Sequence, residues 1–252
     1  MTDNFQQFAI YYDMIYSIDT YKELPGEIDF FLKEAQKANG PVLEVGCGTG
    51  RIFLPLMNAG IPISGIDISA EMLQMLKIKA KFFNLKPKIK KIDMTELKEK
   101  EKYSLIIIPL NSIHHITNKA KQIKTFENFY KALKPNGKLI FSSQFYSKEI
   151  LSLSKYTYAE TYAREDWGIY IDLYLKYNKQ KKILQERFTI KDKTINKKQV
   201  FDLMELYCFD KLEIIDLLSN AGFQNINVYK DFKYTPLQKA RNLGLWSAVK
   251  PK

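Results

Sequence analysis

The sequence contains few of the residues from which disulfide frameworks and metal sites are built. Two cysteines and two histidines are present among its 252 residues. Cys47 and Cys208 are too few for a framework of several disulfides, and they do not have the spacing of a zinc site. We therefore expect two small, buried thiols in a reducing compartment, and no metal.

Long apolar segments are also missing from the sequence. No run of apolar residues approaches the roughly 20 residues that a helix needs to cross a membrane. The first residues, Met1-Thr2-Asp3-Asn4-Phe5, lack the basic segment and the apolar stretch of a secretory signal. The sequence therefore predicts a cytoplasmic protein with no membrane partner, and its length allows one α/β unit with an insertion.

Acidic residues are in the minority, and the net charge is +11. Residues 176–198 carry nine Lys or Arg against two acids, and residues 81–102 carry eight lysines against four acids. Such segments can form a surface for nucleic acid or another anion, or they can simply be solvated turns and strand faces. We favour solvated faces, because the basic residues do not alternate with aromatic ones as they would in a stacking platform.

The most informative segment runs from Val42 to Gly50 and reads VLEVGCGTG. A short apolar strand is followed by glycines at alternate positions, and glycine allows both a sharp turn and the close approach of a ligand to main-chain N–H groups. A helix predicted from Arg51 to Ala59 places this loop at a helix N-terminus, where N–H groups point outward. The segment therefore predicts a nucleotide-type cofactor site.

Acidic residues end the next two predicted strands, residues 62–67 and 88–93. The carboxylate of Asp67 can accept hydrogen bonds from a ribose, and that of Asp93 can accept one from an adenine on which Met94 packs. Dinucleotide enzymes have the spacing G-x-G-x-x-G, whereas the glycines here follow G-x-G-x-G. A doubly wound domain that binds another nucleotide is therefore the less favoured alternative.

Five blocks in this order resemble the class I S-adenosylmethionine-dependent methyltransferases. They are EVGCGTG, GIDIS with AEML after it, KKIDM, YSLIIIPLNSIHHI and ALKPNGKLIFS, in which Pro135-Asn136-Gly137 forms a turn before a strand at 137–143. The resemblance implies a Rossmann-like α/β fold with a seven-stranded sheet. It also implies S-adenosyl-L-methionine as the cofactor, and S-adenosyl-L-homocysteine as its product.

The resemblance also implies which residues contact the cofactor. Glu44 would orient its amino group through the loop, and Tyr11 and Tyr16 would close the site over the sulfonium, whose charge attracts aromatic faces. Plain packing of an amphipathic helix is the alternative for both tyrosines. The complete set of expected cofactor contacts is Tyr11, Tyr16, Glu44, Gly46, Cys47, Gly48, Gly50, Asp67, Ile68, Met72, Asp93, Met94, Leu110 and Asn111.

The pattern changes after about residue 150. Residues 168–177 alternate between apolar and polar side chains, and residues 183–190 and 200–208 predict further strands of an antiparallel insertion. A helix at 210–221 and a strand pair at 226–230 and 245–249 then return to the core. We expect N-terminal helices over the cofactor site at 1–40, an α/β core at 41–150, an antiparallel β lid at 151–208, and a C-terminal helix with strands at 209–252.

This layout resembles small-molecule methyltransferases with a strand-rich lid, including the sugar N-methyltransferases. The blocks YYDMIY and NSIHHI are similar to segments of that group. The resemblance implies a small-molecule acceptor that is methylated on nitrogen or oxygen, by a monomer or a homodimer. No acid lies between Tyr103 and Thr125, so the resemblance does not extend to the metal-dependent enzymes that would place acidic ligands there.

His115 and His114 are the candidate catalytic residues. An imidazole titrates near neutrality and suits a general base, which transfer needs only if the acceptor must lose a proton. The alternative is that they pack or cap the next helix, and it is stronger for His114. Tyr146, Trp167 and Tyr170 are the candidate residues of the acceptor pocket, and ordinary packing in the lid is their alternative.

Two other functions stay open at the level of the sequence. An RNA or protein methyltransferase could use the basic insertion as a docking surface, although we consider nucleic acid the less favoured partner. A protein that binds the cofactor without catalysis would belong to a regulatory class. Either of these would keep the predicted fold and the predicted cofactor site.

Overall fold

The computed structural model describes residues 4–16, 26–237 and 243–252. Six helices and eleven strands are described in these ranges. The helices are α1 Asn4–Tyr16, α2 Glu27–Ala38, α3 Phe53–Asn58, α4 Ala70–Phe82, α5 Lys119–Ala132 and α6 Lys211–Asn220. The strands are β1 Val42–Val45, β2 Ile63–Asp67, β3 Lys88–Lys91, β4 Tyr103–Ile108, β5 Leu133–Gln144, β6 Thr157–Arg164, β7 Ile169–Asn178, β8 Ile183–Asp192, β9 Lys197–Tyr207, β10 Gln224–Tyr229 and β11 Leu243–Val249.

The core is a seven-stranded sheet with the strand order β10-β11-β5-β4-β1-β2-β3. Strands β1 to β5 run parallel to one another, whereas β11 is antiparallel to both β5 and β10. Parallel strands require crossover connections, and helices α3, α4 and α5 provide them. The predicted Rossmann-like fold is confirmed, as is the antiparallel pair at its end.

Helices cover both faces of this sheet. On one face, Phe141 and Trp246 pack with Phe126 of α5 and Leu218 of α6, and all four side chains are fully buried. The opposite face carries a second apolar cluster built with helices α2, α3 and α4. Each fully buried side chain of this size contributes about 1.5–3 kcal/mol by leaving water, so these two layers hold the strand ends in fixed positions.

Polar side chains cap the N-termini of helices α4 and α6. The hydroxyl of Ser69 accepts a hydrogen bond of 3.1 Å from the Met72 N–H and so caps α4. Asp210 and Glu213 form a reciprocal capping box at α6. Such caps stabilise a helix by about 1 kcal/mol, and that of α4 positions the helix immediately after Asp67.

Two of the boundaries at which the structure differs from the sequence prediction have a clear local cause. Helix α3 begins at Phe53 rather than Arg51, since Arg51 and Ile52 still belong to the turn that follows the glycine loop. Strand β5 begins at Leu133, with the predicted Pro135-Asn136-Gly137 turn inside it as an irregularity. Asn136 has a φ of 62° and donates its N–H to the Lys250 carbonyl, so the chain turns without leaving the sheet.

A second, four-stranded antiparallel sheet has the order β6-β7-β8-β9. The predicted alternation in β7 is present, with Ile169, Ile171, Leu173 and Leu175 buried on one face, which we call the inner face. This face packs on helix α1, where the rings of Phe8 and Phe188 lie 4.9 Å apart. Strand β6 was not predicted, because its residues are mostly exposed and polar. Among the described residues, no helix is long and apolar enough to cross a membrane.

Candidate active site

A cavity of about 290 Å³ lies where the chain leaves strands β1, β2 and β3 and the turn after β4. Open α/β sheets bind their ligands at this edge. A smaller cavity of about 20 Å³ shares Tyr12, Gly46, Gly48 and Ser112 with it. The expected contacts that line the larger cavity are Gly46, Gly48, Asp67, Ile68, Met72, Asp93 and Met94, and those that line the smaller one are Glu44, Gly46, Cys47, Gly48 and Leu110.

The glycine loop is shaped by its contacts with strand β2 and with the turn after β4. The N–H groups of Gly46 and Cys47 both donate to the Ile66 carbonyl, at 2.8 and 3.1 Å. Gly46 has a φ of +70°, and a Cβ atom there would lie 2.6 Å from the Ser112 hydroxyl. A side chain at this position would therefore clash, and the main chain faces the cavity bare.

Gly50 and Cys47 support the loop from behind. A Cβ atom on Gly50 would lie 2.9 Å from both Leu54 and Leu76, so this glycine allows α3 and α4 to pack closely. The thiol of Cys47 is buried, and burial raises its pKa well above the ordinary value. The nearby carboxylate of Glu44 raises this pKa further. We conclude that Cys47 contributes its main chain to the site and that its thiol is a packing group.

Asp67 is held by the loop that it faces. Its Oδ2 accepts a hydrogen bond of 2.8 Å from the Gly48 N–H, and its Oδ1 accepts one of 2.9 Å from the Ser69 N–H. Burial raises the pKa of Asp67, and these backbone donors oppose that rise. Because each carboxylate oxygen can accept more than one hydrogen bond, Asp67 can still accept from a ligand's hydroxyl groups.

Asp93 and Met94 form the far end of the larger cavity. The Asp93 Oδ1 accepts a hydrogen bond of 2.9 Å from the Thr95 N–H and so begins a short 3₁₀ turn. Its other carboxylate oxygen has no partner within the described part of the chain. Met94 and Ile68 provide apolar surface beside it. A flat ring with an exocyclic amino group fits this combination.

Glu44 is the buried carboxyl group of the smaller cavity. Its side chain is 2% exposed, and its Oε2 has no hydrogen-bond partner in the ranges that the structure describes. Burial raises the pKa of Glu44 well above the usual range, and Arg51, which pairs with Glu27, opposes that rise. An unsatisfied buried oxygen costs about 1–3 kcal/mol, a cost that an ammonium group in the cavity would offset. The residues present thus fit the methionine end of the expected cofactor.

The structure separates the two histidines. His115 lines the larger cavity, and burial lowers its pKa to about 4, so its imidazole is neutral at physiological pH. His114 is fully buried, and its Nδ1 lies 2.7 Å from the Tyr207 carbonyl. Its Nε2 accepts a hydrogen bond from the Gln144 N–H and lies 3.0 Å from the Ser143 hydroxyl. With both nitrogens occupied, His114 joins β5 to the end of β9 and is not available as a base.

Helix α1 places Tyr12, rather than Tyr11, at the site. Tyr12 lines both cavities, whereas Tyr11 is buried in the apolar cluster between α1 and the second sheet. Successive residues of a helix point about 100° apart, so the one-residue difference moves the ring to another face. The side chain of Tyr16 lies outside the described part of the structure. Asp13 also belongs to the block YYDMIY, but the sequence did not predict that its carboxylate contacts the hydroxyl of Thr49 in the glycine loop.

Leu110 and Asn111 follow strand β4 in a rare backbone conformation. Their φ values are 51° and 62°, and residues of this kind concentrate at functional sites. Leu110 lines the smaller cavity. The Asn111 Nδ2 donates to the Gln144 side chain at 3.2 Å, while its buried Oδ1 has no partner in the described ranges. Ser112, the third residue of this turn, borders both cavities and was not among the predicted contacts, although it belongs to the block NSIHHI.

Two of the expected acceptor-pocket residues lie away from the larger cavity. Trp167 is 48% exposed, with the Arg164 guanidinium 4.6 Å from its ring. Tyr170 lies on the face of β7 opposite to the inner face and contacts Lys193. The expectation is corrected for both, because the period of the strand and the turn before it direct them outward. The second sheet instead contributes Met204 to the cavity.

Tyr146 lies beside the site without lining the larger cavity. Its ring packs edge-on against His114, with the ring centres 6.0 Å apart. It also borders the apolar cluster between α1 and the second sheet. Tyr146 follows the end of β5, where the Gln144 N–H donates to His114. Its ring therefore packs between the core and the second sheet.

Residues 42–137 match the family model of a methyltransferase domain. The chain is 31% identical to a putative methyltransferase of Bacillus subtilis (strain 168) over 139 residues, which are 54% of each protein. It is 26% identical to the glycine/sarcosine N-methyltransferase of Halorhodospira halochloris over 221 residues, or 86% of this chain and 78% of that enzyme. The chain therefore spans about half the length of the first of these relatives and more of the second.

Solved structures share the fold over nearly the whole chain. An S-adenosylmethionine-dependent methyltransferase from Clostridium acetobutylicum superposes with a TM-score of 0.79 at 20% identity, over 98% of this chain and 99% of that one. The sugar N-methyltransferase KedS8 from Streptoalloteichus superposes with a TM-score of 0.67 at 14% identity, over 90% and 88%. These likenesses include the second sheet, since they extend well beyond the matched domain.

Proposed function

We propose that this chain, which carries a methyltransferase domain and has the fold of the class I S-adenosylmethionine-dependent enzymes, transfers a methyl group to a nitrogen or oxygen atom of a small molecule. The predicted cofactor, S-adenosylmethionine, is supported by a solved S-adenosylmethionine-dependent methyltransferase that shares the fold. One observation carries the proposal. Three carboxylates, those of Glu44, Asp67 and Asp93, lie at or next to the ends of three neighbouring strands, around a glycine loop whose main chain borders both cavities.

Each part of the cofactor has a matching group in this arrangement. The unsatisfied oxygen of Glu44 suits the ammonium of the methionine moiety, and Asp67 suits the two ribose hydroxyls. Asp93 with Met94 suits the adenine. The bare main chain at Gly46 allows the ligand to approach closely. Arg51 supports Glu44 electrostatically from the side of the protein.

The chain's contribution to the reaction is positioning and proton transfer. When bound, the cofactor would supply an electrophilic methyl group for the acceptor nitrogen or oxygen, and Glu44, Asp67 and Asp93 would hold it in the cavity. Holding the reacting atoms in line supplies much of the rate. The neutral imidazole of His115 can take the proton that the acceptor nitrogen or oxygen releases.

The four predicted regions assign roles to the rest of the chain. In this proposal, the helices of residues 1–40 cover the cofactor, the core of residues 41–150 binds it, and the insertion of residues 151–208 covers the acceptor. Support comes from Tyr12 and Met204, which bring α1 and β9 to the cavity from outside the core sheet. Residues 209–252 complete the sheet.

The small-molecule acceptor is supported by the relatives and by the enclosure of the cavity. The enzyme from Halorhodospira is named for glycine and sarcosine, and it aligns with this chain far beyond the methyltransferase domain. Tyr12 of α1 and Met204 of β9 line the same cavity as His115, so elements outside the core sheet cover part of it. A folded RNA or protein would need a more open approach.

One observation favours RNA as a second candidate acceptor. The outer face of the second sheet pairs basic and aromatic groups, with Arg187 3.9 Å from the Tyr156 ring centre, besides Arg164 at Trp167 and Lys193 at Tyr170. Such pairs can stack bases and neutralise phosphates. With a small-molecule acceptor the transferred methyl group would be found in the low-mass fraction of an extract, and with RNA as the acceptor it would be found in RNA.

Transfer of a labelled methyl group from S-adenosylmethionine into a fractionated extract of the source cells tests the proposal. Label in the low-mass fraction is the expected result. Label in RNA or protein would overturn the small-molecule assignment. An Asp67→Ala protein serves as the control, since it should bind the cofactor poorly and give only background label in every fraction.

A further inference from the structure

Glu186 lies on the inner face of the second sheet, in the middle of β8. Its neighbours at alternate positions on the same strand, Leu184 and Phe188, are both buried in the apolar cluster with helix α1. Its partners across the sheet are Leu175 of β7 and Met204 of β9. Directly opposite side chains on one face of a sheet lie about 5 Å apart at the Cβ atoms. Glu186 is therefore beside Met204, which lines the larger cavity.

The carboxylate of Glu186 has no hydrogen-bond or ion-pair partner among the described residues. Other acids of this sheet do have partners: Asp172 accepts from Thr161 and from Lys191, on the outer face. A charge placed on an apolar face without a partner destabilises a protein unless a ligand pairs with it. The chain is rich in lysine, and yet none of its described cations lies against this carboxylate.

The surroundings of Glu186 favour a cationic ligand. Burial raises its pKa to about 7, and the nearby charge of Glu160 adds to the effect. An ammonium group at this position would lower the energy of the ionised carboxylate and would relieve the repulsion from Glu160. A hydroxyl group could donate a hydrogen bond to this carboxylate, but it carries no charge to compensate the repulsion between Glu186 and Glu160.

We propose that Glu186 selects the acceptor by pairing with a positively charged amine, so that the substrate class is an aliphatic amine rather than a neutral alcohol. This inference rests on the proposed methyltransferase function and narrows its acceptor. Glu186 sits in the lid, whereas His115 belongs to the core. The charged amine can be the nitrogen that is methylated, after it has lost a proton, or a second amine that anchors the molecule.

The test separates a low-mass extract of the source cells by charge on a cation exchanger at pH 5, where amines are protonated and retained. Each fraction is then incubated with the protein and labelled S-adenosylmethionine. Methyl acceptor activity in the retained fraction is the expected result. Acceptor activity found only in the unretained, neutral fraction overturns the inference while leaving the methyltransferase function in place.

Two variants complete the test on the active fraction. Glu186→Gln keeps the shape of the side chain and removes its charge, and it should raise the acceptor concentration for half-maximal labelling about tenfold or more. Glu205→Gln is the matched control, because Glu205 is exposed on the neighbouring strand and pairs with Gln185 on the opposite face. Equal behaviour of the two variants overturns the inference.

Folding and cofactor binding distinguish specificity from structural damage. The melting temperature of Glu186→Gln should equal or exceed that of the unsubstituted protein, since the change removes an unpaired charge. Its affinity for S-adenosylmethionine should be unchanged. Absence of label in every low-mass fraction, with the cofactor bound normally, would instead refute the proposed function, and the amine inference with it.

Discussion

The hydroxyl of Thr49 donates a hydrogen bond of 2.5 Å to the Oδ1 of Asp13. This contact joins the glycine loop to helix α1, and the Oδ2 of Asp13 accepts a second bond of 2.8 Å from the Lys79 ammonium on α4. Asp13 thus ties α1 to two parts of the core. Since Tyr12 precedes it and lines both cavities, the tie also fixes an aromatic ring over the expected cofactor.

We expect Asp13→Ala to weaken the binding of S-adenosylmethionine about tenfold, a loss of about 1.4 kcal/mol. The reason is that α1 would no longer be held against the loop, and Tyr12 would lose its fixed position. Calorimetric titration of the cofactor measures the effect. Asp29→Ala is a suitable control, because Asp29 is exposed on α2; an equal loss in both variants would refute the role of Asp13.

Substitution of Glu44 should change the stability of the fold and the affinity for the cofactor in opposite directions. Because its folded-state pKa is raised, the folded protein binds more protons than the unfolded chain, and this group makes stability fall as pH rises. Glu44→Gln should therefore raise the melting temperature of the cofactor-free protein at neutral pH, and the gain should shrink as pH falls to about 4, the ordinary glutamate range. The same variant should bind S-adenosylmethionine more weakly. Tighter or unchanged binding would contradict the assignment of Glu44 to the ammonium group.

The two histidines should respond differently to substitution. His114→Ala should destabilise the protein by about 2–4 kcal/mol, because it leaves the Tyr207 carbonyl and the Gln144 N–H without a partner and opens a cavity. His115→Ala should leave the melting temperature nearly unchanged and lower kcat about a hundredfold. Denaturant melts and single-turnover rates measure the two effects. Normal kcat in a folded His115→Ala protein would refute its role as a base.

The depressed pKa of His115 predicts a particular pH profile. With a pKa of about 4, its imidazole is deprotonated across the neutral range, so the proton-accepting form is lost only when pH falls through about 4. The rate of transfer should therefore show no step near pH 6.5 that is caused by His115, and the pH profile around pH 6.5 should have the same shape in His115→Ala. A step there, lost on substitution, would mean that His115 titrates as an ordinary exposed histidine.

The sequence was sufficient for the core and the cofactor side of the site because both follow from local rules. Glu44, Asp67 and Asp93 are each visible in the sequence as an acid at or near the end of a short predicted strand, and parallel strands bring such ends to one edge. The caps at Ser69 and Asp210 are equally local. These features need no knowledge of distant contacts.

The acceptor side could not be predicted in the same way. The sequence marks Tyr11 and Tyr12 as equivalent aromatic residues, and only the packing of α1 on the second sheet decides which ring reaches the cavity. The sequence already favoured His115 over His114, but the contact between the His114 ring and the Tyr207 carbonyl depends on the position of strand β9. Trp167 lies in the turn before β7, and Glu186 lies beside Met204 through the pairing of β8 with β9, so both positions depend on how the second sheet is assembled.

A crystal structure with S-adenosylhomocysteine tests the central claim most directly. The account predicts that its ammonium lies at Glu44, its ribose hydroxyls at Asp67, and its adenine between Asp93 and Met94, with Tyr12 against the ligand. A ligand bound elsewhere on the chain, or one that leaves the Oε2 of Glu44 without a partner, would contradict the assignment of this edge of the sheet as the methyl-transfer site.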